Sequence, residues 1–202
     1  MMHSQSHMRV RMLTEGAILI AAAEVLSLLK LYEFPQGGSI TLEMLPIFLY
    51  CIRWGLRPGL TASAAYGILQ LVTGIYAWTW QSVLGDYLIP FTLLGICGVF
   101  RAFPGGVYLK IKGELHLFPC DVYLGTLAGA AARFLSHWVT GATVWAIYMP
   151  DEFFGMTMTS PWFYSLLYNG SYMILDTALC LIVFAVMEKS PLKKYLRGED
   201  LR

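Results

Sequence analysis

Seven ionisable side chains stand inside otherwise apolar stretches of this chain: Glu15, Glu24, Glu43, Asp86, Arg133, His137 and Asp176. Charge is costly to hold in apolar surroundings, so each is a candidate for recognition, ion pairing or proton chemistry. Arg133, His137, Gly141 and Trp145 recur every fourth residue, a spacing that aligns them on one helix face. His137 and Trp145 then lie two turns apart, about 12 Å along the axis, with Gly141 leaving a gap between them and Tyr148 continuing the stripe. Asp86 is followed by Tyr87 and preceded by Trp78, Trp80 and Gln81. Trp162-Phe163-Tyr164 opens a further apolar stretch, with Tyr168 and Asn169 one to two turns deeper. Three segment ends therefore converge with one carboxylate, an imidazole, an amide and many aromatic rings. Aromatic faces attract a cation by ~0.5–2 kcal/mol per contact. A carboxylate accepts hydrogen bonds from amino groups, and an amide offers both donors and acceptors. These types in this pattern point to a pocket for a small, flat, partly cationic molecule. A belt of Trp and Tyr at a membrane interface accounts for many of the same aromatics, but less well for the deeper His137, Gly141 and Asn169.

Catalysis has no comparable support. The chain carries no Walker A pattern, no HExxH, no GxSxG and no Rossmann glycine fingerprint. Cys51, Cys97, Cys120 and Cys180 are scattered through apolar sequence without CxxC spacing and read as small buried hydrophobes. His3 and His7 precede the first apolar stretch and His116 lies between two others, so the histidines form no metal cluster. The expectation is a binding protein: no enzyme, no cofactor, no metal and no nucleic-acid partner. Of the remaining charges, Glu15 reads as an interfacial cap and Asp176 as a hydrogen-bonding tie between helices. Glu24 and Arg133 either pair with each other or act separately.

The elements that must position these groups follow from composition. Of 202 residues, 57% are hydrophobic and 13% charged, with a mean hydropathy of +0.58; soluble domains run nearer ~45–50% and ~25%. A soluble fold of this size cannot hide so much apolar surface, which makes the chain an all-α integral membrane protein. Six spans fit, at about 12–31, 42–54, 58–75, 81–103, 119–147 and 161–187. Gly55 and Pro58 separate the second from the third, and Pro119 and Pro161 suit first helical turns. With six spans, all of the fourteen Lys and Arg residues except Lys30 and Arg133 fall on the side of the termini. The excess of basic residues on cytoplasmic loops then puts both termini inside. The domain reading is a polar tail over 1–11, a membrane domain over 12–188 and a basic tail over 189–202. No cleavable leader is expected, because Glu24 and further apolar sequence follow Ala21-Ala22-Ala23. Ala17 and Ala21 stand four apart on the first span, a spacing that lets another helix approach closely in lipid.

Taken in order, these stretches resemble the thiamine-specific S-component of energy-coupling-factor (ECF) vitamin transporters. The resemblance runs from about Met12 to Met187. It rests on Arg11-Met-Leu-Thr-Glu15-Gly-Ala, Leu42-Glu43-Met-Leu-Pro46-Ile-Phe, Arg53-Trp-Gly-Leu-Arg57-Pro-Gly-Leu, Gly85-Asp86-Tyr87-Leu, Arg133-Phe-Leu-Ser-His137, Trp145-Ala-Ile-Tyr148 and Tyr164-Ser-Leu-Leu-Tyr-Asn169-Gly. It implies a subunit that captures thiamine from the extracellular side and delivers it with an ATP-driven energy-coupling module. Asp86 is then expected to hydrogen-bond the aminopyrimidine and Trp145 to stack on the rings. His137, Gly141, Tyr87, Tyr148, Tyr164 and Asn169 complete the pocket. Members often have Glu at the place of Asp86, and some carry a lid Trp in the first outer loop. Here that loop, Tyr32-Glu33-Phe34-Pro35-Gln36, has none, which leaves Phe34 or Tyr32 as the lid. The resemblance further implies that Ala17 and Ala21 face the T-component, a membrane partner coupled to two ATP-binding subunits. Two alternatives stay open: an S-component for another flat heterocycle such as a thiamine-precursor pyrimidine, and a structural membrane protein without ligand.

Overall fold

The computed structural model describes residues 2–74, 79–102, 107–111, 114–118 and 120–201, with side chains described for 6–74, 79–101 and 122–201. Trp78 lies outside the described residues, as do the side chains of His3, Cys120 and His116. The chain is all-α in character. Its main helices are α1 (Met2–Leu28), α2 (Met44–Trp54), α3 (Leu56–Thr73), α4 (Trp80–Arg101), α5 (Cys120–Thr143) and α6 (Pro161–Glu188), followed by a short α7 (Lys193–Leu196). Each apolar stretch marked in the sequence holds one of the first six. Among the described residues, only α4 and α6 are both long and apolar enough to cross a membrane, with mean hydropathies of 1.8 and 1.9. α2 has 11 residues, short against the roughly 20 that a bilayer needs.

Among the described residues, three two-stranded hairpins fill connections for which no strand was expected: β1 (Tyr32–Glu33) with β2 (Ser39–Ile40), β3 (Val107–Ile111) with β4 (Glu114–Phe118), and β5 (Glu152–Phe153) with β6 (Met156–Thr157).

Local chemistry fixes where the helices begin and end. Gly55 adopts φ +83 and its N–H closes α2 on the Cys51 carbonyl, a conformation open to glycine at no steric cost. Ser160 caps α6, its hydroxyl accepting from the Phe163 N–H at 3.2 Å, with Pro161 in the first turn. α4 is irregular for a reason visible in sequence. Pro90 has no N–H to continue an α ladder, and just before it Val83–Leu88 winds as a π turn, with Ile89 N–H bonded to Leu84 O. That wider turn carries Asp86.

The main core joins Met44, Ile47 and Phe48 of α2 to Tyr66, Phe91, Leu94, Val122 and Phe184. α3 and α4 touch backbone to backbone: a Cβ on Gly95 or Gly98 would come within 2.6 Å of Leu60 Cα or 2.5 Å of the Gly55 carbonyl carbon. A second cluster, Phe34, Met158, Tyr164, Tyr168, Tyr172 and Met173, seats the first hairpin on α6. Neither terminal segment is a detached tail. α1 is helical from Met2, with no Gly or Pro before Gly16 to stop it. Leu196 is fully buried in the main core and Arg11 is paired with Asp200.

Candidate ligand-binding site

The π turn of α4 places Asp86 at the wall of a cavity. Its Oδ2 accepts from Ser82 Oγ at 2.6 Å, one turn back, and from Trp145 Nε1 at 2.7 Å across the bundle. His137 Nδ1 lies 3.6 Å from Oδ1. The stripe expected from fourfold spacing is interrupted. α5 stops at Thr143, and Trp145, at φ −95 and ψ 5, caps a short 3-10 turn over Ala146–Tyr148. The indole reaches the cavity by leaving the helix, with its N–H anchored on Asp86, rather than by continuing its face.

Gly141 serves packing between α5 and α6. A Cβ there would come 2.4 Å from Ser165 Oγ and 3.1 Å from Asn169 Nδ2. The Asn169 amide donates to Ser165 O at 3.0 Å and to Ser165 Oγ at 3.1 Å, while its Oδ1 accepts from Tyr172 OH at 2.8 Å. Its donors are therefore occupied within the wall, and one lone pair of Oδ1 remains for a ligand.

Below these groups lies a polar floor. Arg133 pairs with Glu43 at 2.7 Å, not with Glu24. Glu43, entering α2, is the carboxylate that faces α5, whereas Glu24 is turned to α3 and accepts from Gln70 at 3.0 Å. Tyr66 donates to the other Glu43 oxygen at 2.9 Å and accepts from Gln70 at 2.7 Å. Asp176 ties α6 to the entry of α2 by accepting from the Thr41 N–H at 2.8 Å. Glu15 is more than a cap: it holds Arg53 and accepts from Tyr195 OH at 3.0 Å.

The rim is the first hairpin. Gln36, at φ +72, donates from Nε2 to the Tyr148 carbonyl at 3.0 Å and accepts at Oε1 from Tyr164 OH at 2.8 Å. Tyr168 OH accepts from the Gly38 N–H at 2.9 Å and donates to the Pro35 carbonyl. Phe34 does not line the cavity. It is buried and packs edge-on against Tyr32 at 4.8 Å and Tyr168 at 6.1 Å, anchoring the hairpin from behind. Tyr32 is 56% exposed and also outside the lining. Tyr148 likewise stays out, half exposed, and contributes its carbonyl to Gln36 and its ring to Trp145 at 5.7 Å.

The cavity encloses about 500 Å³, and Asp86, Tyr87, His137, Gly141, Trp145, Tyr164 and Asn169 all line it. Gln36, Arg133, Glu43, Gln70 and Tyr172 line it too. Tyr66 and Gln70 stand four apart on α3, a polar pair in an apolar stretch that spacing alone could have flagged. A carboxylate bonded to an indole, beside imidazole and phenol groups, is chemistry suited to holding a flat cation. Ala17 and Ala21 are exposed on α1 and lie outside the cavity lining.

Residues 13–196 match the family described as Thiamine transporter protein (Thia_YuaJ). The chain belongs to this family. It is 33% identical to the thiamine transporter ThiT of Bacillus subtilis over 188 residues, 91% of this chain and 93% of that one. It is 28% identical to ThiT of Lacticaseibacillus paracasei over 191 residues, 91% of this chain and 89% of the relative. The fold matches that of ThiT from Listeria monocytogenes with a TM-score of 0.74 at 23% identity, covering 93% of this chain and 98% of that structure. Membership makes the chain a membrane protein of thiamine transport and not an enzyme.

Proposed function

We propose that this chain is the substrate-binding subunit, the S-component, of an ATP-driven thiamine transporter. It captures the vitamin from outside and hands it to an ECF module of one T-component and two ATP-binding subunits. In this reading the six main helices, the short α2 included, form the bundle within the cell membrane, with both termini and the Arg53 end cytoplasmic and the first hairpin extracellular. What supports the orientation is the gathering of Arg9, Arg11, Arg53, Arg57, Arg101, Lys189, Lys193, Lys194 and Arg197 on one side of that topology. Ala17 and Ala21, exposed on α1, then face the T-component through lipid.

One observation carries the ligand assignment: the Asp86 carboxylate and the Trp145 indole are bonded to each other at 2.7 Å on one cavity wall. A carboxylate edge takes the amino group of the pyrimidine, and the indole face takes the cationic ring. Tyr87, His137, Gly141, Tyr164 and Asn169 shape the remaining wall, while Phe34 and Tyr148 act from behind it. The 500 Å³ volume falls in the range of small-molecule sites, about 300–1,000 Å³.

Titration of the detergent-purified chain with thiamine, followed by tryptophan fluorescence, tests this. Saturable quenching near one equivalent is expected, and its loss in Trp145→Ala and Asp86→Ala. A thiamine-precursor pyrimidine, which lacks the thiazolium, is expected to bind more weakly because the cation–aromatic term is absent. No response at micromolar vitamin would refute the thiamine assignment.

A further inference from the structure

We infer that Arg133 is a positioning residue for the pocket: its guanidinium fixes His137 as a neutral imidazole whose single proton sits on Nδ1, turned toward Asp86. This deepens the ligand reading above and relies on it only for the identity of the cation.

The argument starts from what an arginine can offer. A guanidinium has donors and no acceptor, and it keeps its proton in proteins. Arg133 Nε lies 3.4 Å from His137 Nε2, one turn along α5, in donor geometry. A ring nitrogen that faces an N–H must present its lone pair, so Nε2 carries no proton. The neutral ring then holds its proton on Nδ1, the nitrogen that faces Asp86 Oδ1 at 3.6 Å. That gap is a few tenths of an ångström beyond the ~2.7–3.2 Å of an ordinary N–H···O bond.

Arg133 is not free to turn away. Its Nη2 is held by Glu43 at 2.7 Å, and its Cζ lies 4.3 Å over the Phe91 ring. The side chains of Arg133 and Glu43 are 8% and 10% exposed. Glu43 is held in turn by Tyr66 at 2.9 Å. The charged and titratable groups around the imidazole are Arg133 on its own helix, Asp86 from α4 and Glu43 from the entry of α2; α6 brings the phenol of Tyr172 to the same cavity.

The consequence concerns charge. A protonated His137 would add a second cation beside Arg133 and oppose a cationic ligand. Held neutral, with its proton toward Asp86, the ring leaves that carboxylate as the anionic face of the upper pocket. The buried arginine, itself a cation, thereby suits the cavity to a cation.

Imidazole nitrogen NMR on the ligand-free, detergent-purified full chain reads this directly, with His137 assigned by the signal lost in His137→Gln. In the wild type, Nδ1 is expected to be the protonated nitrogen and Nε2 the bare one, as a single tautomer from about pH 6 to 8. The double variant Arg133→Met with Glu43→Gln removes the ion pair as a unit, leaving no buried charge alone. There the Nε2-protonated tautomer, or a doubly protonated ring near pH 6, is expected to become detectable. Arg133→Lys, which keeps a cationic donor, is expected to restore the wild-type pattern. A wild-type ring protonated on Nε2, or doubly protonated near pH 7, overturns the inference, as does a double variant that still shows only the Nδ1-protonated form. Should the variants fail to fold, the wild-type spectrum decides alone. Because no ligand is present, failure to bind thiamine leaves this result untouched, and the reverse also holds.

Discussion

Two ends of the molecule are built from the same groups, arginine, carboxylate and tyrosine, with opposite results. At the basic end, Arg53 has a fully buried side chain and every nitrogen of its guanidinium is occupied. It pairs with both oxygens of Glu15 and of Asp200, donates to the Tyr195 carbonyl, and lies 3.5 Å from the centroid of the Tyr195 ring. These contacts tie α1, α2 and the C-terminal segment together. At the cavity end, the buried Arg133 and the part-buried Asp86 are also paired, but the partners leave lone pairs and ring faces bordering a void. What separates a structural hub from the proposed recognition site is the empty space beside it, not the residue types.

The sharpest way to break the comparison is to cut each end once. Arg53→Met leaves the Glu15 and Asp200 carboxylates without their shared cation. Breaking a buried pair from one side typically costs about 3–5 kcal/mol. A large drop in thermal midpoint in detergent is expected, with thiamine affinity per folded molecule unchanged. Asp86→Ala is expected to do the reverse, abolishing the fluorescence response while shifting the midpoint little. If Arg53→Met weakens binding as much as stability, the two ends are coupled and the contrast fails.

A smaller effect sharpens the same contrast at the rim. Gln36→Ala removes one bond to Tyr164 and one to the Tyr148 carbonyl. At roughly 0.5–1.5 kcal/mol for each neutral hydrogen bond, the first hairpin loosens over the cavity without unfolding the bundle. Stopped-flow fluorescence is expected to show faster thiamine release and a weaker Kd by up to about tenfold, at an unchanged melting midpoint. An unchanged release rate would mean that Phe34 and Tyr168 alone hold the hairpin.

How far the sequence reveals these ends depends on whether a feature is local. Asp86, His137 and Gly141 are legible because an ionisable or small residue in an apolar stretch is conspicuous by itself. Helix positions followed the apolar stretches and the glycine and proline breaks at Gly55, Pro58 and Pro161. Pairing was not legible: Arg133 finds Glu43 rather than Glu24 because of how α2 enters the bundle, and nothing in one chain's spacing encodes that. Trp145 keeps its place in the cavity although α5 ends at Thr143, since its indole N–H is held by Asp86. The π turn before Pro90 and the two-residue strands around Gln36 are too short to leave a periodic pattern. Nothing in the spacing singles out Gln36 in Pro-Gln-Gly-Gly, and Phe34, with Tyr32, stands as the expected lid only through the family resemblance. Phe34 is instead the anchor, and Gln36, two residues on, reaches the cavity.

The smallest effect expected is on acid stability, and it tests the basic end without disturbing its packing. Hydrogen bonds and charge attraction from Arg53 hold the Asp200 carboxyl below its ordinary range. A carboxyl whose folded value lies below its unfolded value, about 3.9, contributes stability that is fully present above that unfolded value. The contribution is lost as pH falls through the folded value. Asp200→Asn keeps the shape and removes the titration. Above about pH 5 the wild type is expected to melt higher than Asp200→Asn by a constant margin, and the margin is expected to shrink as the pH drops below about 4. Melting curves of both proteins across that range, in a detergent whose micelles do not titrate, measure it. A margin that stays constant down to the lowest pH would place the contribution of the Asp200 side chain in the fit of its contacts rather than in its charge, since the main-chain bond that its carbonyl accepts from Arg11 is common to both proteins. The basic end would then be held by packing and uncharged hydrogen bonds, much as the first hairpin is.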